Sequence, residues 1–325
     1  MRRETDPEAG PDAAPILTTA QEMAEALAGA AGGTLEVVLL YGSHLLGASP
    51  DRNSALDFVA VVSDYRAFYT ALRGAGEIHR PVWMITALAR VLPPNVIAFT
   101  PGEGAGGIAK ILVIDRAHLA AALGARPRDH FVLGRLVQQV AVIWAADPER
   151  ARDMEASLEA ACGAVLSWIG PYLREPFDAE GVGRRILEVC YQGEYRPEAR
   201  DRSHAVFEAQ REHFRVRLEP VLRRAAEVGL LVPSDGGYRF SSAVSPSERR
   251  RWDRHFRRSK LRATGRWLKH VLTFDNWLPY VHRKAERRLG ITIALTPLER
   301  RWPLLFLWPR VVKLLLTRPD REGPP

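Results

Sequence analysis

Cysteine is scarce. Cys162 and Cys190 are the only two in 325 residues, and their separation fits neither a CxxC pair nor a metal-site spacing. That argues against a disulfide framework or a zinc ribbon and predicts two buried thiols in a reducing compartment. Long apolar runs are missing as well. The longest, over 304–316, is broken by Pro309, Arg310 and Lys313, and it falls short of the roughly 20 residues that a membrane-spanning helix needs. The first fifteen residues, MRRETDPEAGPDAAP, have no apolar centre of the kind a secretory signal carries, and their acids do not suit a mitochondrial transit peptide. A short disordered tail over 1–16 is expected instead. The glycine-rich stretch 102–107 is not followed by Gly-Lys-Ser/Thr, so it reads as a flexible connection rather than a phosphate-cradling P-loop. No internal repeat is found.

Positive charge is plentiful. The formal net charge is +8 and the calculated isoelectric point 9.8, which favours an anionic partner. The excess is concentrated: residues 249–269 hold ten Lys or Arg against a single acid, Asp253. The segment 246–325 also carries Trp252, Trp267, Trp277, Trp302 and Trp308. Basic residues, tryptophans and a terminal apolar patch together point to a membrane-interface segment. The alternative is a solvated basic helix whose tryptophans serve an ordinary core.

The most informative stretch is 37–62, VVLLYGSHLLGASPDRNSALDFVAVV. An apolar run breaks at Gly42-Ser43, and a second run then carries one carboxylate, Asp57. Two β-rich runs joined by a polar loop predict neighbouring strands. Small residues at the turn let the backbone approach a triphosphate, and a carboxylate on the adjacent strand can hold the divalent metal that neutralises it. An acid inside LDFVAVV is expensive to bury unpaired, although a polar residue on an edge strand would account for it more simply. Lys110 interrupts another buried-looking strand, IAKILVI, where a lysine reaches for a cleft. Strands and helices alternate up to about residue 116. Helical periodicity then predicts helices over 118–123, 131–145, 148–166, 182–189 and 205–226, the last with Pro220 as a kink or boundary. Asp64 is a candidate helix cap, and Asp235-Gly236-Gly237 a hairpin turn.

Several of these residues fall in a familiar order. Tyr41-Gly42-Ser43 is followed by Arg52 and then Leu56-Asp57-Phe58. His79, Asn95, Lys110 and the run Gly134-Arg135-Leu136-Val137-Gln138 come next. Far downstream lie Cys190-Tyr191-Gln192-Gly193-Glu194-Tyr195-Arg196 and Asp201. Over about 37–231 this pattern resembles the mitochondrial-type phosphatidate cytidylyltransferase family, in which the later motif runs Ser-Tyr-x-Gly-Asp-x-Arg. The chain departs from the family at Phe68-Tyr69, at Leu72, and at Ser203 and Ala205, where the family has Trp-His, Asn and two lysines.

The resemblance implies an α/β fold with a nucleotidyltransferase palm over 17–116. The helical periodicity and the hairpin turn suggest a mostly helical, winged-helix-like domain over 117–245, and the composition sets off the basic segment over 246–325. The Ala/Arg/Gly/Pro-heavy composition and the missing targeting peptide suggest a bacterial cytoplasmic protein, peripheral on the inner face of the cell membrane. The resemblance further implies magnesium-dependent transfer of CMP from CTP to phosphatidic acid at an anionic membrane surface. Asp57, His79, Lys110 and Glu194 would be catalytic. Tyr41, Gly42, Ser43, Arg52, Tyr191, Gly193 and Arg196 would bind nucleotide, and Asp57 with Glu194 and Asp201 would hold Mg²⁺. Nucleic acid is not expected as a partner, and oligomeric state is left open. Two alternatives stand beside this reading: a soluble nucleotidyltransferase with another acceptor (a small molecule, RNA or protein), and an inactive palm that binds lipid or nucleic acid.

Overall fold

A computed structural model describes residues 13–46, 55–100, 108–124, 127–192, 201–273 and Thr296. The chain divides into a unit spanning Met1–Asp275 and a second spanning Asn276–Pro325. Every element named below belongs to the first.

A five-stranded mixed sheet forms its centre, in the order β3-β4-β2-β1-β5. β1 (Leu35–Tyr41) and β2 (Leu56–Val62) pair antiparallel, and β2 pairs parallel with β4 (Ala109–Asp115). β3 (Asn95–Phe99) and β5 (Val140–Ala145) are the edges, each antiparallel to its neighbour. β2 is therefore the middle strand, buried along nearly its whole length, as LDFVAVV requires. Leu56, Phe58, Ala60 and Val62 join the main core under α1 (Ala13–Ala31), α2 (Tyr65–Gly74) and α3 (Val82–Val91). The side chains of Asp57, Val59 and Val61 alternate to the opposite face, which α4 (Arg116–Leu123) and α6 (Pro148–Gly163) approach. Asp64 caps α2 by accepting the amide of Ala67, as its position predicts.

The remaining elements are α5 (Leu133–Leu136), α7 (Leu166–Ile169), α8 (Ala179–Gln192), α9 (Asp201–Ala209), α10 (Arg211–Glu227), the hairpin β6 (Leu231–Ser234) and β7 (Gly237–Phe240), and α11 (Pro246–Thr273). The hairpin turns at the expected Asp235-Gly236.

Several expectations need correction. Residues 13–16 are helical, so the start of α1 takes in the end of the expected tail. The helix expected over 131–145 is the short α5 followed by β5, which adds a strand to the sheet beyond residue 116. VAVIWA is dense in β-branched residues, and the open edge of β1 supplies its partner. The single helix expected over 205–226 breaks at Gln210, between α9 and α10, whereas Pro220 lies inside α10. The side chain of Gln210 accepts the amide of Gln139 at 3.0 Å and donates to the Gln138 side chain at 3.3 Å. A tertiary contact, not proline, accompanies the break.

α11 packs along β3 instead of standing apart as a surface segment. Trp252 is 5% exposed, inside an aromatic cluster with His130, His255 and Phe256. It is a core residue and does not face a membrane. The side chain of Trp267, and all of Trp277, Trp302 and Trp308, lie outside what is described. Both cysteines are reduced and buried.

Candidate functional site

Strand register brings residues from distant parts of the chain into one row. Val140 on β5 pairs with Tyr41, Tyr41 with Asp57, Asp57 with Lys110, and Lys110 with Ala98 on β3. Direct partners across a sheet point to the same face, so Tyr41, Asp57 and Lys110 share the face opposite the main core. Asp57 lies near the start of the middle strand. The edge-strand explanation for its charge therefore does not hold; solvent reaches it because it sits at the end of the sheet.

The turn after β1 is fitted to that carboxylate. Gly42 has φ +87°, in the left-handed region that favours glycine. A Cβ placed on it would stand 3.1 Å from Oδ2 of Asp57. The amides of Leu45 and Leu46 both donate to the carbonyl of Gly42, at 3.1 and 3.2 Å, making a tight turn that starts with half-buried Ser43. The backbone is thus held close against the acid, leaving little room beyond a glycine.

Nζ of Lys110 lies 3.8 Å from Oδ1 of Asp57, with the two side chains 37% and 29% exposed. At that separation and exposure an ion pair contributes about 0–1 kcal/mol. Stability therefore does not account for a lysine and an aspartate on two inner strands. Mg²⁺ takes one or two carboxylates and completes its shell with water and substrate phosphates, so the Asp57 carboxylate fits the protein's share of such a site. Among the described residues no three His, Cys, Asp or Glu side chains converge as a metal site.

The wall beside Lys110 was not anticipated from the sequence. α11 places His270 where Lys110, Lys269, Arg135 and Arg266 all act on it; burial first, and then these cations, push its pKa down to about 3. Arg266 is 2% exposed. Its Nη2 donates to Oδ2 of Asp129 at 2.6 Å and its Nε to the carbonyl of Pro93 at 2.6 Å. Lys269 donates to the carbonyls of Leu88, Leu92 and Pro94, so it caps the end of α3. Burial, helped by Arg266, lowers its pKa to about 7. The only signal in the sequence was the basic density of 249–269, which reads equally well as a solvated surface.

The other expected site residues divide into three groups. His79 is exposed in the α2–α3 connection and is not one of the row. Tyr191 is half-buried near the end of α8. Its neighbour Cys190 packs so closely on α5 that a Cβ on Gly134 would meet Sγ at 2.9 Å. Two separate pieces of the family-like pattern therefore touch, close to the start of β5. Arg52, Gly193, Glu194 and Arg196 lie outside the described residues, and Asp201 opens α9 with its side chain undescribed. Asn95 serves the fold. It is wholly buried and donates to the Tyr69 hydroxyl and the Ile85 carbonyl, each at 2.8 Å. The departures at Phe68, Tyr69 and Leu72 are fully buried core positions, where packing sets the residue.

No protein-family profile matches this chain. No curated protein matches it at a significant level.

Proposed function

We propose that the protein is a nucleotidyltransferase that moves CMP from CTP to phosphatidic acid and releases pyrophosphate. The observation that carries the reading is the row Tyr41–Asp57–Lys110, closed by a left-handed glycine against the carboxylate. An anionic metal ligand, a cation and a backbone turn at one sheet end are what attack on an α-phosphorus requires. The polymerase-β-like palm and the winged-helix character of the helical half are part of this proposal.

In the reaction an oxygen of the acceptor phosphate bonds to the α-phosphorus, and the bond from that phosphorus to the bridging oxygen of pyrophosphate breaks. Asp57 would hold Mg²⁺ together with the triphosphate; when bound, the ion neutralises phosphate charge. Lys110 stabilises negative charge on the face of the sheet where the phosphates meet. The Gly42-Ser43 turn admits the triphosphate close to the backbone and offers a hydroxyl. Tyr41 flanks Asp57 and limits where the nucleotide lies. Glu194 and Asp201 remain the proposed further metal ligands, and Arg52 and Arg196 the proposed phosphate contacts.

The acceptor reading is supported by α11, whose outer face exposes Arg250, Arg254, Arg257 and Arg258. Such a face suits the anionic inner surface of a bacterial cell membrane. No helix among the described residues is long and apolar enough to cross a membrane. Pyrophosphate release should be measured for each of the four ribonucleoside triphosphates with Mg²⁺ and phosphatidic acid vesicles. Release with CTP that depends on phosphatidic acid is expected. Release that ignores the lipid would move the proposal to another acceptor.

A further inference from the structure

A cavity of about 750 Å³ lies between α10, the α6–α7 junction and the link from β7 to α11, and no residue of the Asp57 row lines it. One side of α10 borders it from Val216 to Val228, about 18 Å of helix. Leu166 and Phe240 add further apolar wall. Val216, Val228 and Leu230 are 58%, 73% and 47% exposed, so the cavity opens to solvent along these residues. Among the described residues, three of the seven large exposed apolar side chains thus gather at one place. Scattered apolar side chains are ordinary, but a gathered set marks a ligand groove or an interface. No lining side chain holds a buried nitrogen or oxygen without a partner. Arg217 and Arg224 lie two turns apart, about 10 Å, in the middle of the α10 face. Neither makes an ion pair among the described residues. Arg249 donates to the carbonyl of Pro171, another lining residue, at 2.8 Å. Glu159 and Glu248 are the acids of the wall. Three cations against two acids leave the wall positive, and exposed Arg250 and Arg251 follow Arg249.

We propose that this cavity binds an aliphatic chain ending in an anionic head. At about 30 Å³ for each water-sized group, it holds about 25 of them, a size common among small-molecule sites. An apolar wall with no orphaned polar atoms suits a chain that brings none of its own. An extended peptide would bring backbone N–H and C=O groups that the wall cannot satisfy, and a nucleobase would lose its hydrogen bonds in the same way. At the open side, Arg217 and Arg224 can take a carboxylate or phosphate head through paired N–H donors. The cavity and its ligand class stand without the proposed reaction. Only the identification of the chain as part of the lipid acceptor rests on that reading.

The test is calorimetric titration of the full chain, without nucleotide, using octanoate, decanoate and dodecanoate below their micelle concentrations. Each added methylene should tighten binding about three- to fourfold. Dodecyltrimethylammonium should bind about tenfold more weakly than dodecanoate; equal affinity would overturn the anionic head. Val216→Trp fills the cavity from its open side and should lower dodecanoate affinity about tenfold. If that variant does not fold, Leu230→Trp fills the same opening. Tighter binding of lysophosphatidic acid than of the fatty acid with the same chain would assign the cavity to a phospholipid. Equal binding would keep the cavity and assign it to free fatty acid. Unaltered dodecanoate affinity in a folded filled variant, or affinity that ignores chain length, would overturn the site. Chain binding that depends on Val216 in a protein without CTP turnover would leave the cavity standing and remove the proposed reaction. Transfer of CMP to phosphatidic acid by a protein that binds no chain would do the reverse.

Discussion

Replacing Gly42 with alanine should separate backbone strain from damage to the site. Gly42 has φ +87°, and an L side chain in that region costs about 1–2 kcal/mol. The new Cβ would also stand 3.1 Å from Oδ2 of Asp57, so the carboxylate must retreat by a few tenths of an ångström. Gly33 provides the control: its φ is +78°, but a Cβ there meets nothing within 4 Å. Both alanine variants should lose about 1–2 kcal/mol in urea denaturation, which for a protein of this size lowers the midpoint temperature by roughly 1.5–3 °C. Only Gly42→Ala displaces Asp57, the proposed metal ligand, and its pyrophosphate release should fall about tenfold, given that a 1 Å misplacement costs roughly a hundredfold. Gly33→Ala should keep its activity. Equal activity in the two variants at equal stability would refute the claim that the turn positions Asp57.

Three further outcomes are expected. Asp129 is 7% exposed and holds Arg266, so Asp129→Asn should cost about 3–5 kcal/mol by leaving a buried guanidinium uncompensated; a loss below 1 kcal/mol in urea denaturation would contradict this. Burial, with His255 adding to it, pushes His130 down to about 3, and its Nδ1 lies 2.9 Å from Nε2 of His255. Below pH 6.5 the unfolded chain takes up a proton that the fold refuses, so stability is complete above that pH and falls toward pH 3, by about 1.4 kcal/mol per pH unit for each such group. His213 and His270 are lowered too, so His130→Phe should remove only one group's share of the slope between pH 6.5 and 4.5, and an unchanged slope would sink the assignment. A chain ending at Ser245 loses Trp252, Arg266 and Lys269 from the packed unit and should melt at a markedly lower temperature, whereas an unchanged midpoint would contradict a structural role for α11.

The sheet centre was legible because strand alternation, β-branched density and glycine turns act locally. β1, β2, β4 and the turn of the β6–β7 hairpin were expected near their observed positions, as was the Asp64 cap. β5 was missed because VAVIWA has apolar spacing that suits either period, and the open edge of β1 decides between them. The break at Gln210 was missed because the contacts that accompany it go to Gln138 and Gln139, about seventy residues away in sequence. Tyr41, Gly42, Ser43, Asp57 and Lys110 could be nominated one by one, but only register makes Tyr41, Asp57 and Lys110 a row. α11 was the largest misjudgement. Its composition is that of a surface helix, yet its inner face buries Arg266 and Lys269 against backbone carbonyls and Asp129. Buried arginine and lysine are rare enough that composition alone points away from the core.

The most direct test is transfer of label from α-³²P CTP to phosphatidic acid in vesicles, with Mg²⁺ and either wild-type protein or Asp57→Asn. The account predicts a labelled CDP-lipid with the wild type and none with Asp57→Asn, although the variant keeps its fold because the lost ion pair contributes so little. Labelled product from a folded Asp57→Asn protein at the wild-type rate would contradict the central claim.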